Sequence, residues 1–399
     1  MKIFYYIAVF LTFVAISGCV KQFIPDTGVD PDLIVVEGLI TDQPGAQAVK
    51  ISRSIPLGLE ADYNPVRGCS VWITDDIGTV YNLNESTNGT YLTNADFSGT
   101  IGRKYTLNIE VVHYDLVFHR RIVDMTLQSF PVEMLPVPDI DSLYYEKVLL
   151  TEENGFLFTG EGCQIFLNTT DPNDECKYYR WDYIETWKIV TPPYQRAINR
   201  ICWVTNNSDD INAKTVDGLN ENRIERLKVK FISNESDRLS ERYRIQVNQY
   251  SLSEEEYNYW SDLEKITERS GSFYDKIPSA ISGNIHCIGN ANCQILGYFS
   301  VSAKKSKVLY IDEFFRGLAD PYRHCVKDTL RNDGGSPFPP AGIFDFDGIY
   351  YWIIEYNTTS HPQYLITTED RGCVDCTVRG TTEQPDFWTD PWGNVKKVH

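Results

Sequence analysis

Residues 105–112 read YTLNIEVV. Tyr105, Leu107, Ile109 and Val111 occupy alternate positions, which puts them on one face of an extended strand. A Gly99 to Gly102 turn stands just before them. The same period recurs on both sides. LIVVEGLIT (33–41) runs into the turn residues Asp42, Pro44 and Gly45, and AVKISRSI (48–55) into a polar loop. CSVWITDD (69–76) precedes Ile77-Gly78, GTYLT (89–93) follows Asn88-Gly89, and VFHRRIVDM (117–125) closes the series. Short alternating strands with a turn signal every ten or so residues predict an Ig-like β-sandwich over residues 32–128.

Residues 129–147 contain Pro131, Pro136 and Pro138. Proline biases its predecessor toward extended backbone, so this stretch reads as a connector. Residues 148–399 predict a larger β-rich domain, with strand-like runs such as KYYRWDYIETWKIV (177–190), RYRIQVNQYSL (242–252), QILGYFSVSA (294–303) and IYYWIIEY (349–356). One segment departs from that period. SLSEEEYNYWSDLEKITERSGS has Ser253 as an N-cap with Glu256 three residues on, a capping box. Acids fill the first turn, where the helix dipole favours them, and Gly271 is placed to end the helix. Residues 254–269 therefore predict an inserted helix, with Tyr257, Trp260, Leu263 and Ile266 as an apolar stripe packed on the sheet. The fold class expected is mainly β, an N-terminal sandwich followed by a β-rich domain carrying one α-helix.

The chain starts MKIFYYIAVFLTFVAISGCVKQF. Lys2 precedes an apolar run over residues 3–16 of signal-peptide length, shorter than the ~20 residues of a membrane span. Ile16-Ser17-Gly18-Cys19 resembles the lipobox of bacterial lipoproteins. That likeness implies removal of residues 1–18, acylation of Cys19 and attachment to a bilayer through its lipid. An uncleaved anchor helix with an incidental cysteine is the competing reading. Val20 stands where, in the enterobacterial sorting rule, an aspartate would retain the protein in the inner membrane, so the outer membrane is the expected address. Residues 19–31 read as a lipidated tether broken by Pro25, Gly28 and Pro31.

The formal charge of −18 argues against nucleic acid, whose binding is driven by Lys and Arg contacts to phosphate. A hydrophobic content of 42% is that of a packed protein, and no second long apolar run follows the first. Ten cysteines in an exported chain read first as disulfides. With Cys19 taken by lipid, nine remain. Cys69 is the expected thiol left over, because it shares a strand face with Val71 and Ile73. Cys163, Cys176, Cys202, Cys287, Cys293, Cys325, Cys373 and Cys376 are the disulfide candidates, and eight cysteines allow 105 pairings.

Several stretches carry a family resemblance. They are the lipobox with LIVVEGLITDQPG; the strand starts at Gly89-Tyr91 and Gly102-Tyr105-Leu107; DIDSLYY; YYRWDYIETW; the helix running on through SFYDKIPSAISGNI to LGYFSVSA; and CVDCTVRGTTEQPDFW. Together they resemble the Bacteroidota lipoproteins grouped as domain-of-unknown-function family 4249, over nearly the whole mature chain. The resemblance implies an outer-membrane lipoprotein working beside a TonB-dependent transporter. It supplies no catalytic residues. NIHCIGNANCQILGYF departs from it by placing Cys287 and Cys293 in an otherwise cysteine-free hairpin, where a local disulfide is the simple reading.

Cys373-x-x-Cys376 has no second such pair and no spaced His pair, which argues against zinc. Thr377-Val378-Arg379-Gly380 is no helix start, which argues against a redox dithiol. The pair is expected to tie the last loop to an earlier strand, with Cys325 and Cys202 among its partners. Asp345-Phe346-Asp347-Gly348 lacks the further oxygens of a calcium loop and reads as a turn. No nucleophile elbow, His-Glu-x-x-His or phosphate loop occurs. No cofactor, metal or catalytic residue is expected. The strand aromatics Tyr178, Tyr179, Trp181, Tyr183, Trp187 and Trp203 read as core, while Trp388 and Trp392, in FWTDPWGN, are the binding candidates. The function expected is non-enzymatic: capture of a nutrient for a TonB-dependent transporter at the outer membrane. A structural or adhesive surface lipoprotein is the first alternative. A surface hydrolase is the second, since paired carboxylates leave no local signature.

Overall fold

The computed structural model describes residues 33–54, 64–115, 117, 119–151, 157–193, 199–208, 210–269, 281–290, 293–323, 325, 328–332, 343–346, 349–357 and 363–388. Cys19, the tether and Trp392 lie outside the described residues.

The alternation in YTLNIEVV is realised as burial. Tyr105, Leu107, Ile109 and Val111 all point into the core. They belong to β6 in a first run of strands: β1 (Ile34–Thr41), β2 (Ala48–Arg53), β3 (Ser70–Asp75), β4 (Val80–Thr87), β5 (Thr90–Leu92), β6 (Lys104–Asp115), β7 (Arg120–Ser129) and β8 (Val132–Glu133). A second run follows: β9 (Ile140–Thr151), β10 (Phe158–Thr170), β11 (Tyr178–Val190), β12 (Ile201–Asn207), β13 (Asn212–Thr215), β14 (Arg223–Ile232) and β15 (Tyr243–Leu252), then the helix α1 (Glu254–Arg269). The chain continues through β16 (Ile285–Cys287), β17 (Ile295–Ser302), β18 (Lys304–Ile311), β19 (Asp328–Asn332), β20 (Ile343–Phe346), β21 (Ile349–Asn357) and β22 (Gln363–Thr368).

The protein is mainly β, with one helix among the described residues. Two corrections follow from the pairing. The N-terminal unit is not an Ig-like pair of sheets. It is one ten-stranded sheet in the order β16-β7-β6-β3-β4-β5-β2-β1-β17, with β8 added on β6. It is also not confined to residues 32–128, because β16 and β17 come from the far side of the connector. β17 pairs parallel with β1, from Ile34 opposite Ile295 to Thr41 opposite Ser302, and β16 pairs with β7. A parallel partner requires a long crossover. Here the crossover is the whole of β2–β16 and α1.

The sheet is nearly closed, and a side chain makes the closing contact. Asn284 Nδ2 donates to the Phe299 carbonyl at 2.8 Å, and its Oδ1 accepts from the Phe299 N–H at 2.9 Å. A buried amide thus does for β17 what a neighbouring strand would do. Gly297 makes the other close approach. Its φ is +91°, and a Cβ there would lie 2.1 Å from the Val36 carbonyl oxygen.

The two rims of this sheet serve different neighbours. One rim gathers Leu33, Ser54, the 64–68 segment and the β6–β7 turn. Ser54 N–H donates to Leu33 at 2.8 Å, Arg53 N–H donates to Asn64, and Arg121 Nη2 donates to the Gly68 carbonyl. The opposite rim carries the second unit. Lys304 N–H donates to Asp42 Oδ1 at 2.8 Å, and Ser251 Oγ donates to the Leu135 carbonyl at 2.6 Å.

That second unit faces a three-stranded sheet, β14-β10-β9, against a five-stranded one, β12-β11-β15-β18 with β13 on β11. Trp181 Nε1 donates to Gln249, whose amide reaches Pro138 and Thr169 across the core. β19, β22, β21 and β20, in that order, form a separate four-stranded antiparallel sheet.

Gly297→Ala breaks the β1–β17 pairing and lowers unfolding free energy by about 3 kcal/mol or more, since strain and overlap act together. Asn284→Ala leaves two buried backbone groups unpaired and costs roughly 2–3 kcal/mol. Chemical denaturation of the two variants against the parent checks both values.

Candidate functional site

The strand β11 reads YYRWDYIETWKIV, and its odd and even members part company. Tyr179, Trp181 and Trp187 face the core. Arg180, Asp182 and Ile184 face outward, where pairing to β15 sets Arg180 beside Tyr250, Asp182 beside Asn248 and Ile184 beside Gln246. β18 extends those rows by setting Lys304 beside Tyr250 and Ser306 beside Asn248. The outer face of this sheet is thereby a polar ladder rather than an apolar surface.

Its groups bind one another. Asn248 Nδ2 donates to Asp182 Oδ1 at 2.7 Å, while Asn248 Oδ1 accepts from Ser306 Oγ at 2.7 Å and Gln246 Nε2 at 3.2 Å. Arg244 Nη2 donates to Gln246 Oε1 at 2.9 Å. Such a chain holds each amide in one orientation.

Both ends of the ladder are walled. At one end α1 lays Trp260 across the sheet. The Arg180 guanidinium carbon lies 4.8 Å from the Tyr250 ring centre and 4.7 Å from that of Trp260, a guanidinium held between two π faces. Arg180 Nε is buried without a hydrogen-bond partner among the described residues. A cavity of about 340 Å³ opens here, lined by Arg180, Asp182, Tyr183, Asn207, Ser208, Asp210, Asn248, Tyr250, Trp260 and Lys304 among others. Its size and mixed lining suit a small solute. Tyr183, Asn207 and Asp210 also line a neighbouring hollow of about 490 Å³ with Glu185, Lys230 and Arg238. There the buried Glu185 takes three contacts from Arg238 between 2.8 and 3.1 Å and one from Tyr243 OH at 2.8 Å.

The other end of the ladder is already covered. Phe387 lies under Arg244, 4.0 Å from ring centre to guanidinium carbon, and its carbonyl accepts from Tyr310 OH. Trp388 is 2% exposed and meets Trp203 and Tyr310 edge to face. Trp388 is therefore a correction: it is core, not a displayed binding residue. The cause is the tether holding its loop. Cys376 is bonded to Cys202 of β12, and Trp203 and Thr381 exchange backbone hydrogen bonds. Cys373 is bonded to Cys325. Between the two half-cystines Asp375 is buried, accepting from Asn199, Arg371 and Thr377. Burial opposes its charge, but those donors win and hold its carboxyl at about 2.

The third disulfide joins Cys287 to Cys293 between β16 and β17. Cys163 and Cys176 are a second correction. Like Cys69, they are buried free thiols rather than disulfide partners. Cys163 faces the core from β10, and Cys176 Sγ donates to the Tyr178 carbonyl. Burial pushes both up to about 12, so neither is a reactive thiolate at neutral pH. Among the described residues no group of three or more His, Cys, Asp or Glu is placed to hold a metal. No helix there is long and apolar enough to cross a membrane.

The family described as a domain of unknown function (DUF4249) matches residues 20–308. The chain belongs to this family. The DUF4249 match takes in the whole ladder, α1 and Lys304, so the cavity is built within the family region. It stops before Cys325, Cys373 and Cys376, which makes it narrower than the cysteine block implied. No curated protein matches the chain.

Helix α1 begins as its cap predicts, with the Glu256 N–H donating to Ser253 Oγ at 3.2 Å. The Glu256 side chain turns inward, is fully buried and accepts from Trp260 Nε1 at 3.2 Å. Burial raises its carboxyl, partly offset by Ser300, Arg180 and Trp260. A raised carboxyl pKa means that folding is penalised once the pH passes the unfolded value near 4.5, and the penalty grows until the folded pKa is passed. Glu256→Gln is accordingly expected to gain stability relative to the parent as pH rises from 4.5 toward 8. Melting curves across that range check it. Cys376→Ser, which frees a loop of sequence separation 174, costs about 2–5 kcal/mol by denaturation.

Proposed function

We propose that this protein is a non-enzymatic binding lipoprotein of the outer membrane that captures a small hydroxyl-rich solute in the Arg180–Trp260 cavity and passes it to a TonB-dependent transporter. The observation that carries the reading is the cavity itself. Tyr250 and Trp260 hold Arg180 between them beside fixed acceptors and donors, Asp182, Asn248 and Ser306. Aromatic faces and oriented carboxylate and amide groups are the chemistry that binds sugar rings and hydroxyls. Asp182 is oriented by the Asn248 amide, which holds it as a fixed acceptor at the cavity.

The anchoring part of the reading rests on the lipobox at Ile16–Cys19. It is supported by the layout of the sheet, since Leu33 and the cavity-bearing unit leave from opposite rims. β1 spans eight residues, about 26 Å, so the sheet acts as a spacer.

Calorimetry of the full chain against mono- and oligosaccharides tests the binding reading. Asp182→Asn and Trp260→Ala are each expected to weaken the best ligand about tenfold or more. Absence of any saccharide binding, or affinity untouched in both variants, rejects it. Cys19→Ser is expected to abolish acyl labelling and release the chain from the membrane fraction. Co-purification from native outer membranes tests the transporter separately.

A further inference from the structure

The Arg180–Trp260 cavity does not end at its own walls. Beside it runs the flank of the second unit, where β14, the outer strand of one sheet, faces β12 and β13, the outer strands of the other. The hollow of about 490 Å³ that holds Glu185 and Arg238 lies there, lined by the end of β12 and by Lys230 of β14. A further hollow of about 700 Å³ is lined by β13 and by the Arg223–Val229 stretch of β14. Asp210, on the link between β12 and β13, lines both hollows and the cavity as well. The three spaces therefore meet at one residue, and the cavity continues into a groove. An extended strand from Arg223 to Lys230 covers roughly 23 Å of it.

This groove reverses the charge of the chain. Over the whole sequence 55 acids outnumber 37 Lys and Arg. Around the three spaces eight basic side chains meet five acidic ones. Three of the basic groups are already paired: Arg238 with Glu185, Arg223 with Glu225 and Arg226 with Glu146. The other five, Arg180, Lys214, Lys228, Lys230 and Lys304, make no side-chain hydrogen bond or ion pair among the described residues. The lining acids left over are Asp182, Asp210 and Glu264. Two of them are engaged, Asp182 by the Asn248 amide and Asp210 by the Tyr183 hydroxyl at 3.4 Å. A positive excess remains after every acid is counted. Aromatic rings hold part of it in place: Arg180 lies between Tyr250 and Trp260, Lys304 is 5.8 Å from the Tyr250 centre and Lys230 is 5.2 Å from that of Tyr183.

Unpaired cations spread along a groove, in a chain with acids to spare, match a ligand that brings its own negative charges at intervals. Fixed acceptors between them match its hydroxyls. We infer that the captured solute is an acidic oligosaccharide several uronate units long. One unit fills the cavity with its carboxylate at Arg180 and Lys304, and the following carboxylates lie along Lys230, Lys228 and Lys214. Asp182 and Asp210 accept hydroxyls between those points. This inference rests on the binding half of the proposed function and adds to it the charge and the length of the ligand.

The test is calorimetry of the full chain with tetragalacturonate and tetramannuronate, each beside its methyl ester, which keeps the rings and hydroxyls and loses the charge. At least one acid form is expected to bind about tenfold or more tightly than its ester, because charge-assisted contacts are the stronger ones. It is also expected to outbind its own monomer and to weaken as salt is raised. Lys228→Gln combined with Lys230→Gln, two changes outside the cavity, is expected to weaken the acid form about tenfold. Equal affinity of acid and ester overturns the inference. So does a monomer that binds as well as the tetramer, or an acid form indifferent to the lysine changes, since either confines the ligand to the cavity. Oligothymidylate of equal charge binding as tightly as the uronates overturns it as well, because charge alone is then being read. Neutral saccharides that bind and are lost in Trp260→Ala, with no preference for acid forms, fail this inference and leave the cavity reading standing. No saccharide binding at all rejects both.

Discussion

Closure of the first sheet is the constraint on which the rest of the molecule depends. Its two end strands, β16 and β17, belong to one short stretch of chain, so neither can be placed without the other. Asn284 bonds both backbone groups of Phe299, and Gly297 admits the Val36 carbonyl where any side chain would collide. Once β17 is seated parallel to β1, its last residue stands on the far rim. Ala303 N–H donates to Ser251 Oγ there, and β18 begins at once in the second sheet. The position of Lys304 over Tyr250 is therefore inherited from the register of β1 against β17.

The second sheet uses its two faces for opposite purposes. Inward, Trp181, Gln249 and Thr169 form a satisfied polar link within an aromatic core. Outward, the Asp182–Asn248–Gln246–Arg244 chain is closed at one end by Phe387 and open at the other beside Trp260. An open end among oriented donors and acceptors is what a ligand can complete. The two cystines that hold the Phe387 end, Cys202–Cys376 and Cys325–Cys373, each have a half-cystine beyond residue 308, where the family match stops.

Much was legible from local pattern. Period-two alternation placed β1, β3, β6 and β15, and the cap at Ser253 placed α1 over 254–269. What failed did so where a residue's fate depends on distant chain. Trp388, in a proline-rich loop, read as exposed, yet a bond from Cys376 to β12 folds it inward. Cysteine parity allowed one free thiol or three, because nothing local distinguishes a paired Cys163 or Cys176 from a buried one. Trp260 read as packing stripe. It lines the cavity, and only the pairing of β11 with β15 shows it.

By itself the sequence determined the β class, the single helix among the described residues and the acidic character, because each is a matter of short-range periodicity or composition. The tertiary structure alone decided that residues 285–302 complete the first sheet, that Arg180, Asp182, Asn248 and Trp260 meet, and which sulfurs join. Those facts are set by contacts between residues tens to hundreds of positions apart. Such contacts form only when strand register and burial are satisfied together, and no local pattern encodes that.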